Sequence, residues 1–223
     1  CIQRPRKSYK NMNDKELKVQ VLRPFGPPII KVKIPNELII KINDYSELVF
    51  NDKKKLKTLD HGDQLAGNVT QEFLLEENFA RDSGWLKFLS IVSNHVIKSF
   101  LNKDIKSFNV TSTWIVRQFQ NEYNPVHNHT AHLSGVGYLK VPTNFGDTVQ
   151  KKNENRNKNG KIMFVHGSQQ FLSRAILGIT PAVGDFYLFP SYLLHLVNPY
   201  YDTLEERRSI SFNATIDESL IDG

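Results

Sequence analysis

Three histidines and an arginine in this chain have the residue types and spacings to do chemistry together. One stretch reads NPVHNHTAHLSGVGYL over residues 124–139, and another reads GDFYLFPSYLLHLVNPYYDTLEERRSISFN over residues 184–213. His127 and His129 are two apart, so in an extended segment their imidazoles leave from one face and can reach one metal ion. His195 follows the apolar run from Phe186 to Pro190 and stands among Leu193, Leu194, Leu196 and Val197. An imidazole in such surroundings needs a partner. Imidazole suits iron, zinc, copper and nickel, and three protein ligands with open positions describe a reactive metal centre rather than a closed structural one. Taken singly, a histidine beside apolar residues is an ordinary hydrogen-bonded side chain, which is the reading for His61, His132 and His166. A same-face pair, a distant third histidine and a downstream arginine carry the signal only in combination.

Strand parity locates the arginine. In the stretch from Arg207 to Ala214, residues Arg208, Ile210, Phe212 and Ala214 share one face, and Arg207, Ser209, Ser211 and Asn213 share the other. A polar face turned into a barrel needs a polar ligand. Arg207 and Ser209 together make a carboxylate receptor, the guanidinium as a bidentate fork and the hydroxyl as a further donor. Arg208 is the rival, and its expected role is a solvated charge at the start of the strand.

The motifs H-x-H, L-S-G-V-x-Y-L, G-D-x-Y-L-F-P-S, the histidine after them and R-x-S-I-S-F-N resemble the Fe(II)/2-oxoglutarate oxygenases related to prolyl 4-hydroxylases, including versions carried by marine phages. The specific part of the resemblance covers residues 114–213, and a looser one covers about 20–216. It implies that His127 and His195 are iron ligands, that Arg207 and Ser209 hold the far carboxylate of 2-oxoglutarate, and that Tyr138 donates to that carboxylate. It further implies a protein or peptide substrate, proline-containing by preference, with ascorbate as a candidate reductant. The chain departs from the family pattern at His129, where the wider superfamily has Asp or Glu. Three neutral imidazoles leave more positive charge on the metal than a shell containing a carboxylate does. The shell is therefore His127, His129 and His195, or else an acid such as Asp185 or Asp147, or water, takes the third place.

Length and composition agree with one oxygenase domain over residues 1–223, long enough for one sizeable core. Within it, 1–106 supplies strands and supporting helices, 107–216 the jelly-roll core, and 1–15 and 217–223 are expected to be flexible. A single cysteine, Cys1, excludes an internal disulfide framework and a cysteine-rich zinc module. No stretch has the length and apolarity of a membrane span or the form of a signal peptide, so a cytoplasmic location is expected, the host's if phage-encoded. The four N-x-T matches at Asn68, Asn109, Asn128 and Asn213 then read as coincidence in an asparagine-rich chain.

The net charge is +6, with basic runs at Lys53, Lys54, Lys55 and Lys57 and from Lys151 to Lys161. Aromatic residues are not interleaved with either run, so specific nucleic-acid binding is not expected and both read as solvated surface.

The elements that must position the site follow from periodicity. Val19–Leu22 and Ile29–Ile34 have strand character. Asn36 is a candidate cap for a helix through Leu38, Ile39, Ile42, Tyr45, Leu48 and Val49. After a polar loop near 60–68, a second helical region spans 83–101, with Trp85, Phe88, Leu89, Val92, Val96 and Phe100 on its core face. From 107 onward the pattern is of strands: 111–119, 133–141, 162–165, 183–189, 193–197 and 207–216. Helices first and strands later give an α+β chain. The resemblance makes this a double-stranded β-helix, or jelly roll, buttressed by N-terminal helices. The polar loop 143–160 reads as a mobile border of the substrate entrance.

Two readings of other classes stand beside the oxygenase: a three-histidine, cupin-like dioxygenase that does not use 2-oxoglutarate, and a non-enzymatic jelly-roll binding module.

Overall fold

A computed structural model of the chain describes residues 20–22, 26–148 and 157–221. In chain order the elements are β1 (Gln20–Leu22), β2 (Ile29–Lys33), α1 (Asn36–Asn51), α2 (Lys53–Leu59), β3 (Gln71–Leu74), α3 (Glu77–Asp82), α4 (Trp85–Leu101), β4 (Phe108–Gln118), β5 (Asn124–His127), β6 (Leu133–Lys140), β7 (Ile162–Val165), β8 (Ile176–Ile179), β9 (Asp185–Pro190), β10 (Leu194–Val197) and β11 (Arg207–Ile216). The strands form a seven-stranded sheet in the order β1-β2-β9-β6-β11-β4-β3 and a four-stranded sheet in the order β5-β10-β7-β8. Every pairing is antiparallel. The fold is the expected jelly roll, and it extends beyond 107–216: β1, β2 and β3, from the first half of the chain, occupy both ends of the large sheet.

The large sheet is covered on both faces, and strand parity sorts its residues between two cores. Its outer face presents Ile30, Val32, Ile115, Phe186, Leu188, Ile210, Phe212 and Ala214 to α1 and α4, whose Leu38, Ile42, Val49, Trp85, Leu89 and Val92 complete one buried cluster. Its inner face presents Ile29, Val136, Tyr138, Tyr187 and Phe189 to Ile162, Phe164 and Val197 of the small sheet. In the G-V-G of β6 both glycines face outward. A Cβ on Gly135 would lie 2.6 Å from Phe212, 2.8 Å from Phe186 and 2.9 Å from the Tyr187 carbonyl oxygen. The absent side chains are what let the Phe186 and Phe212 rings stack at 5.9 Å over β6.

Several elements differ from the sequence expectation for identifiable reasons. Asn36 is the first residue of α1 rather than its cap; Pro35 holds the N-cap position and no side chain caps the helix. Pro35 has a fixed φ and no N–H, so it opens the helix without a polar cap. Leu48, placed on the apolar face by spacing, is 69% exposed, whereas Ile42 and Val49 are fully buried. The helical region expected over 83–101 is α4, which begins at Trp85 after Gly84 takes a left-handed φ of +93°, and the short helix α3 precedes it outside the expected range. The lysine run at 53–57 is a short helix capped by Asp52, which accepts from the backbone N–H of Lys54 and Lys55. Strands β3 and β8 are four residues each, too short to show a periodicity. Residues 1–15 and the centre of the 143–160 loop lie outside the described residues. The described ends of that loop are tied together by Asn159, whose amide donates to the carbonyls of Phe145 and Gly146. At the other terminus, Glu218–Leu220 form a single 3-10 turn. Among the described residues, no helix is long and apolar enough to cross a membrane.

Candidate metal and dicarboxylate site

The small sheet brings the distant histidines together. β5 and β10 pair antiparallel with His127 directly opposite His195, so two residues 68 positions apart in the chain meet in one cross-strand contact. Their ring centroids are 4.3 Å apart. His129 lies past the end of β5, not within a strand; its backbone N–H donates to the Ser191 carbonyl at 3.0 Å, which turns the chain so that its ring joins the other two. The His129 centroid is 5.1 Å from that of His127 and 5.2 Å from that of His195. One nitrogen from each of the three rings lies within 4.8 Å of the others, the spacing of donors around one ion. The structure thus assembles all three histidines singled out by the sequence.

Their protonation suits a cation. Burial alone lowers His127, and it pushes His129 down to about 4, helped by the neighbouring His127. His195 is pushed down to about 3, by burial first and then by the His127 ring. All three are neutral at pH 7, as metal ligands must be. Two tautomers are fixed by backbone carbonyls. Nδ1 of His127 lies 2.7 Å from the Pro125 oxygen, and Nδ1 of His195 lies 2.8 Å from the Leu193 oxygen. A carbonyl only accepts, so each Nδ1 carries the proton and each Nε2 presents its lone pair.

Neither alternative carboxylate reaches the cluster. Asp185 is bound by Lys31 at 2.8 Å and Lys33 at 2.6 Å, and Asp147 is exposed on the surface. The other histidines stay outside it. Nδ1 of His132 accepts the Ile216 backbone N–H at 2.9 Å, tying β6 to the end of β11. Among the described residues, no other group of histidines, cysteines and acids is assembled for a metal.

The cavity bounded by the three histidines is also lined by Trp114, Asn124, Arg207 and Ser209. β11 places Arg207 and Ser209 on the inner face, as parity requires, between β4 and β6. Arg207 is 1% exposed, and its Nη1 donates to Oε1 of Gln118 at 2.9 Å. Its Nε and Nη2 are buried without a hydrogen-bond partner, and so is Tyr138 Oη. The Tyr138 ring centre lies 4.9 Å from the guanidinium carbon, and Ser209 is the cross-strand neighbour of Tyr138. Burial raises the Tyr138 hydroxyl and the nearby Arg207 charge only partly opposes it, so the phenol keeps its proton as a donor. Three unsatisfied donor atoms in one buried corner form a receptor for an anion with several acceptor oxygens.

Arg208 has a different fate from the solvated charge expected of it. It is fully buried on the outer face, where Glu206 takes two bonds at 2.6 and 2.9 Å, Glu47 one at 2.8 Å and Asn43 one at 3.0 Å. Gln118 escaped the sequence reading, although it follows Trp114 and Val116 at the spacing of one strand face. Asn124 and Trp114 escaped it as well. Trp114 sits beside His129 with centroids 5.8 Å apart. Glu72, across from Val116 on the inner face of β3, is a further buried acid beside Asn124.

Residues 112–213 match a family model described as "Putative 2OG-Fe(II) oxygenase". Among solved structures, a Pseudomonas putida prolyl-4-hydroxylase aligns with a TM-score of 0.55 at 12% identity, covering 84% of this chain and 92% of that one. A prolyl hydroxylase from Trichoplax adhaerens, in complex with a peptide fragment of the hypoxia inducible factor oxygen degradation domain, aligns with 0.54 at 12% identity, covering 86% and 84%. HygX from Streptomyces hygroscopicus, with nickel and 2-oxoglutarate bound, aligns with 0.53 at 9% identity, covering 84% and 81%. At such identities the likeness is one of fold. No curated protein gave a significant match.

Proposed function

We propose, from the premise that this chain belongs through residues 112–213 to the 2OG-Fe(II) oxygenase family, that His127, His129 and His195 hold Fe(II) and that Arg207, Ser209 and Tyr138 hold 2-oxoglutarate. One observation carries the assignment: a cluster of three neutral imidazoles shares a cavity with a buried arginine whose Nε and Nη2 have no partner. Both groups fit the residues present. Borderline nitrogen donors suit Fe(II), and the unsatisfied guanidinium edge, with the Tyr138 and Ser209 hydroxyls, matches a carboxylate. Iron with 2-oxoglutarate supplies oxidative decarboxylation of the 2-oxo acid coupled to oxidation of a C–H bond.

The protein supplies position and a dry setting for that chemistry. The carbonyls of Pro125 and Leu193 fix the His127 and His195 tautomers, so both ligands are oriented before metal arrives. Arg207 and Tyr138 would hold the far carboxylate in their buried corner of the cavity that the histidines also line. Phe164 and Phe189 flank His195, with centroids at 6.0 and 5.0 Å, and exclude water from that side.

The proposed substrate is a protein or peptide side chain, proline first. The rim near the histidines supports this. In the small sheet Leu194, Val165 and Ile176 stand in one cross-strand row, so the hairpin loop after Val165 projects at the end where His127 and His129 lie. That loop carries Phe171 and Leu172, each 93% exposed, and Val126 and Tyr192 nearby are 55% and 59% exposed. An apolar rim of this kind suits a macromolecular surface more than a small polar solute. The prolyl hydroxylase folds named above, one of them holding a peptide, give proline its precedence.

The test is turnover. Iron-loaded protein should form succinate from 2-oxoglutarate, faster with proline-containing peptides, and the peptide should gain one oxygen by mass. Protein that neither binds nor decarboxylates 2-oxoglutarate would sink the assignment. The histidine at position 129 favours a second reading, a three-histidine dioxygenase acting without 2-oxoglutarate. In that case oxygen uptake persists in Arg207→Ala.

A further inference from the structure

Arg207 does not sit freely in its corner. Gln118 is its cross-strand partner in the β4–β11 ladder, is fully buried, and accepts from Nη1 through Oε1. The orientation of the Gln118 amide is dictated from its other end. Nε2 faces two carbonyl oxygens, Glu122 O at 2.6 Å and Asn198 O at 3.4 Å, and carbonyls accept only from N–H. Oε1 must therefore point at Arg207. The backbone beneath is held as well, since the Tyr200 hydroxyl lies 2.6 Å from the Gln118 carbonyl and 2.8 Å from the Glu205 carbonyl and shares its one proton between them. A guanidinium offers a carboxylate either its end, Nη1 with Nη2, or its side, Nε with Nη2. With one N–H of Nη1 held by Gln118, the side is the edge whose two atoms are both unpartnered.

We propose that Gln118 is the positioning residue for the cosubstrate: by holding Nη1 it commits the Nε–Nη2 edge of Arg207 to the distal carboxylate and sets the length of dicarboxylate the site admits. This rests on the 2-oxoglutarate reading given above. A guanidinium fixed at one end cannot retract to make room for one more methylene, so the anchor works as a ruler as well as a charge.

The experiment measures direct binding of 2-oxoglutarate and of 2-oxoadipate, one methylene longer, by calorimetry on zinc-loaded protein, where no turnover occurs. Gln118→Met keeps the volume and frees Nη1. It should weaken 2-oxoglutarate about tenfold, as expected for losing the orientation of a charged hydrogen-bonding group, and should narrow the preference over 2-oxoadipate by a similar factor. Gln118→Glu keeps the acceptor but neutralises Arg207, and should weaken both ligands by about a hundredfold. Zinc affinity should stay at the wild-type value in both. Folded variants that bind both dicarboxylates with wild-type affinity and preference overturn the inference. If Arg207→Ala still loses 2-oxoglutarate while they do not, only the role of Gln118 falls; if the unmodified protein binds none, both readings fall. A crystal structure of the unmodified protein with zinc and 2-oxoglutarate gives an answer independent of how the variants fold. A carboxylate on Nε and Nη2, with Gln118 still on Nη1, supports the proposal, and a carboxylate on the Nη1–Nη2 end with Gln118 displaced refutes it.

Discussion

Arg207 and Arg208 are adjacent in sequence, equally buried and chemically identical, yet the two faces of β11 make opposite use of them. On the outer face, Nε, Nη1 and Nη2 of Arg208 all have partners in Glu206, Glu47 and Asn43. The Phe50 ring, 4.8 Å from its guanidinium carbon, covers what remains. On the inner face, Arg207 has one bond, to a neutral amide, and two atoms without any. Leaving a charged donor buried and unpaired costs on the order of 1–3 kcal/mol or more. A fold that satisfies one arginine so fully and leaves two atoms of its neighbour unpartnered is the observation behind the proposed anion-binding role of the second. Burial does not distinguish these two charges; the completeness of their hydrogen bonding does.

The largest effects should fall on the inner side. Replacing His195 by Ala removes one of the three proposed metal donors from the small sheet. It should abolish tight metal binding and 2-oxoglutarate-dependent succinate formation, both readable by metal analysis and product assay. The arginines then test the comparison directly. Arg207→Ala should lower succinate formation at limiting 2-oxoglutarate by roughly a hundredfold or more, the scale of truncating one partner of a buried charge contact. Its folding stability should hold or rise, because an unpaired buried charge has been removed. Arg208→Ala should do the reverse. It removes one of the two arginines that hold Glu206, which is 12% exposed, and should cost about 2 kcal/mol in a denaturant titration with 2-oxoglutarate affinity intact. Matching phenotypes for the two arginines would break the comparison.

The difference between the two faces also marks what could be read from the chain. Parity over Arg207–Ala214 is a period of two, so it separates the arginines without knowledge of the fold, and the structure has Arg207 on the inner face as parity required. The same arithmetic cannot say what lies opposite. Arg208 was expected to be solvated because its partners come from elsewhere, Asn43 and Glu47 from α1 and Glu206 from just before the strand. His195 was legible as a histidine in apolar company, but its pairing with His127 depends on the register between β5 and β10. His129 was placed on the right face for an incomplete reason, since a turn held by the Ser191 carbonyl, not a strand, brings it in. Gln118 was hidden because a glutamine at a strand end carries no chemical signature until Arg207 is seen across the ladder. Helix α4 was clear because seventeen residues give several turns of period, whereas β3 and β8 offer only four residues each.

Two acids extend the contrast, and they give the smallest effect and the one that depends on pH. Burial pushes Glu206 up, but hydrogen bonds from Arg208 and Arg117 override it and hold the carboxyl below its ordinary range. Glu72 has no such support. Burial lifts it from 4.5 to about 7, against a hydrogen bond from Asn124, and its Oε1 has no partner. Between those two pH values the folded chain keeps a proton on Glu72 that the unfolded chain has released. Stability must therefore fall as pH rises from about 4.5 to about 7 and level off above it. The full effect is at most about 3 kcal/mol by the free energy of one pKa unit. Glu206 has the opposite sign, adding stability that is present above the ordinary carboxyl range and lost as acid protonates it. Glu72→Gln keeps the shape and removes the titration. Denaturant titrations from pH 4 to pH 8 should show the stability difference between Glu72→Gln and the unmodified protein growing through that window in favour of the variant. A difference that stays flat would mean that Glu72 is as well satisfied as Glu206.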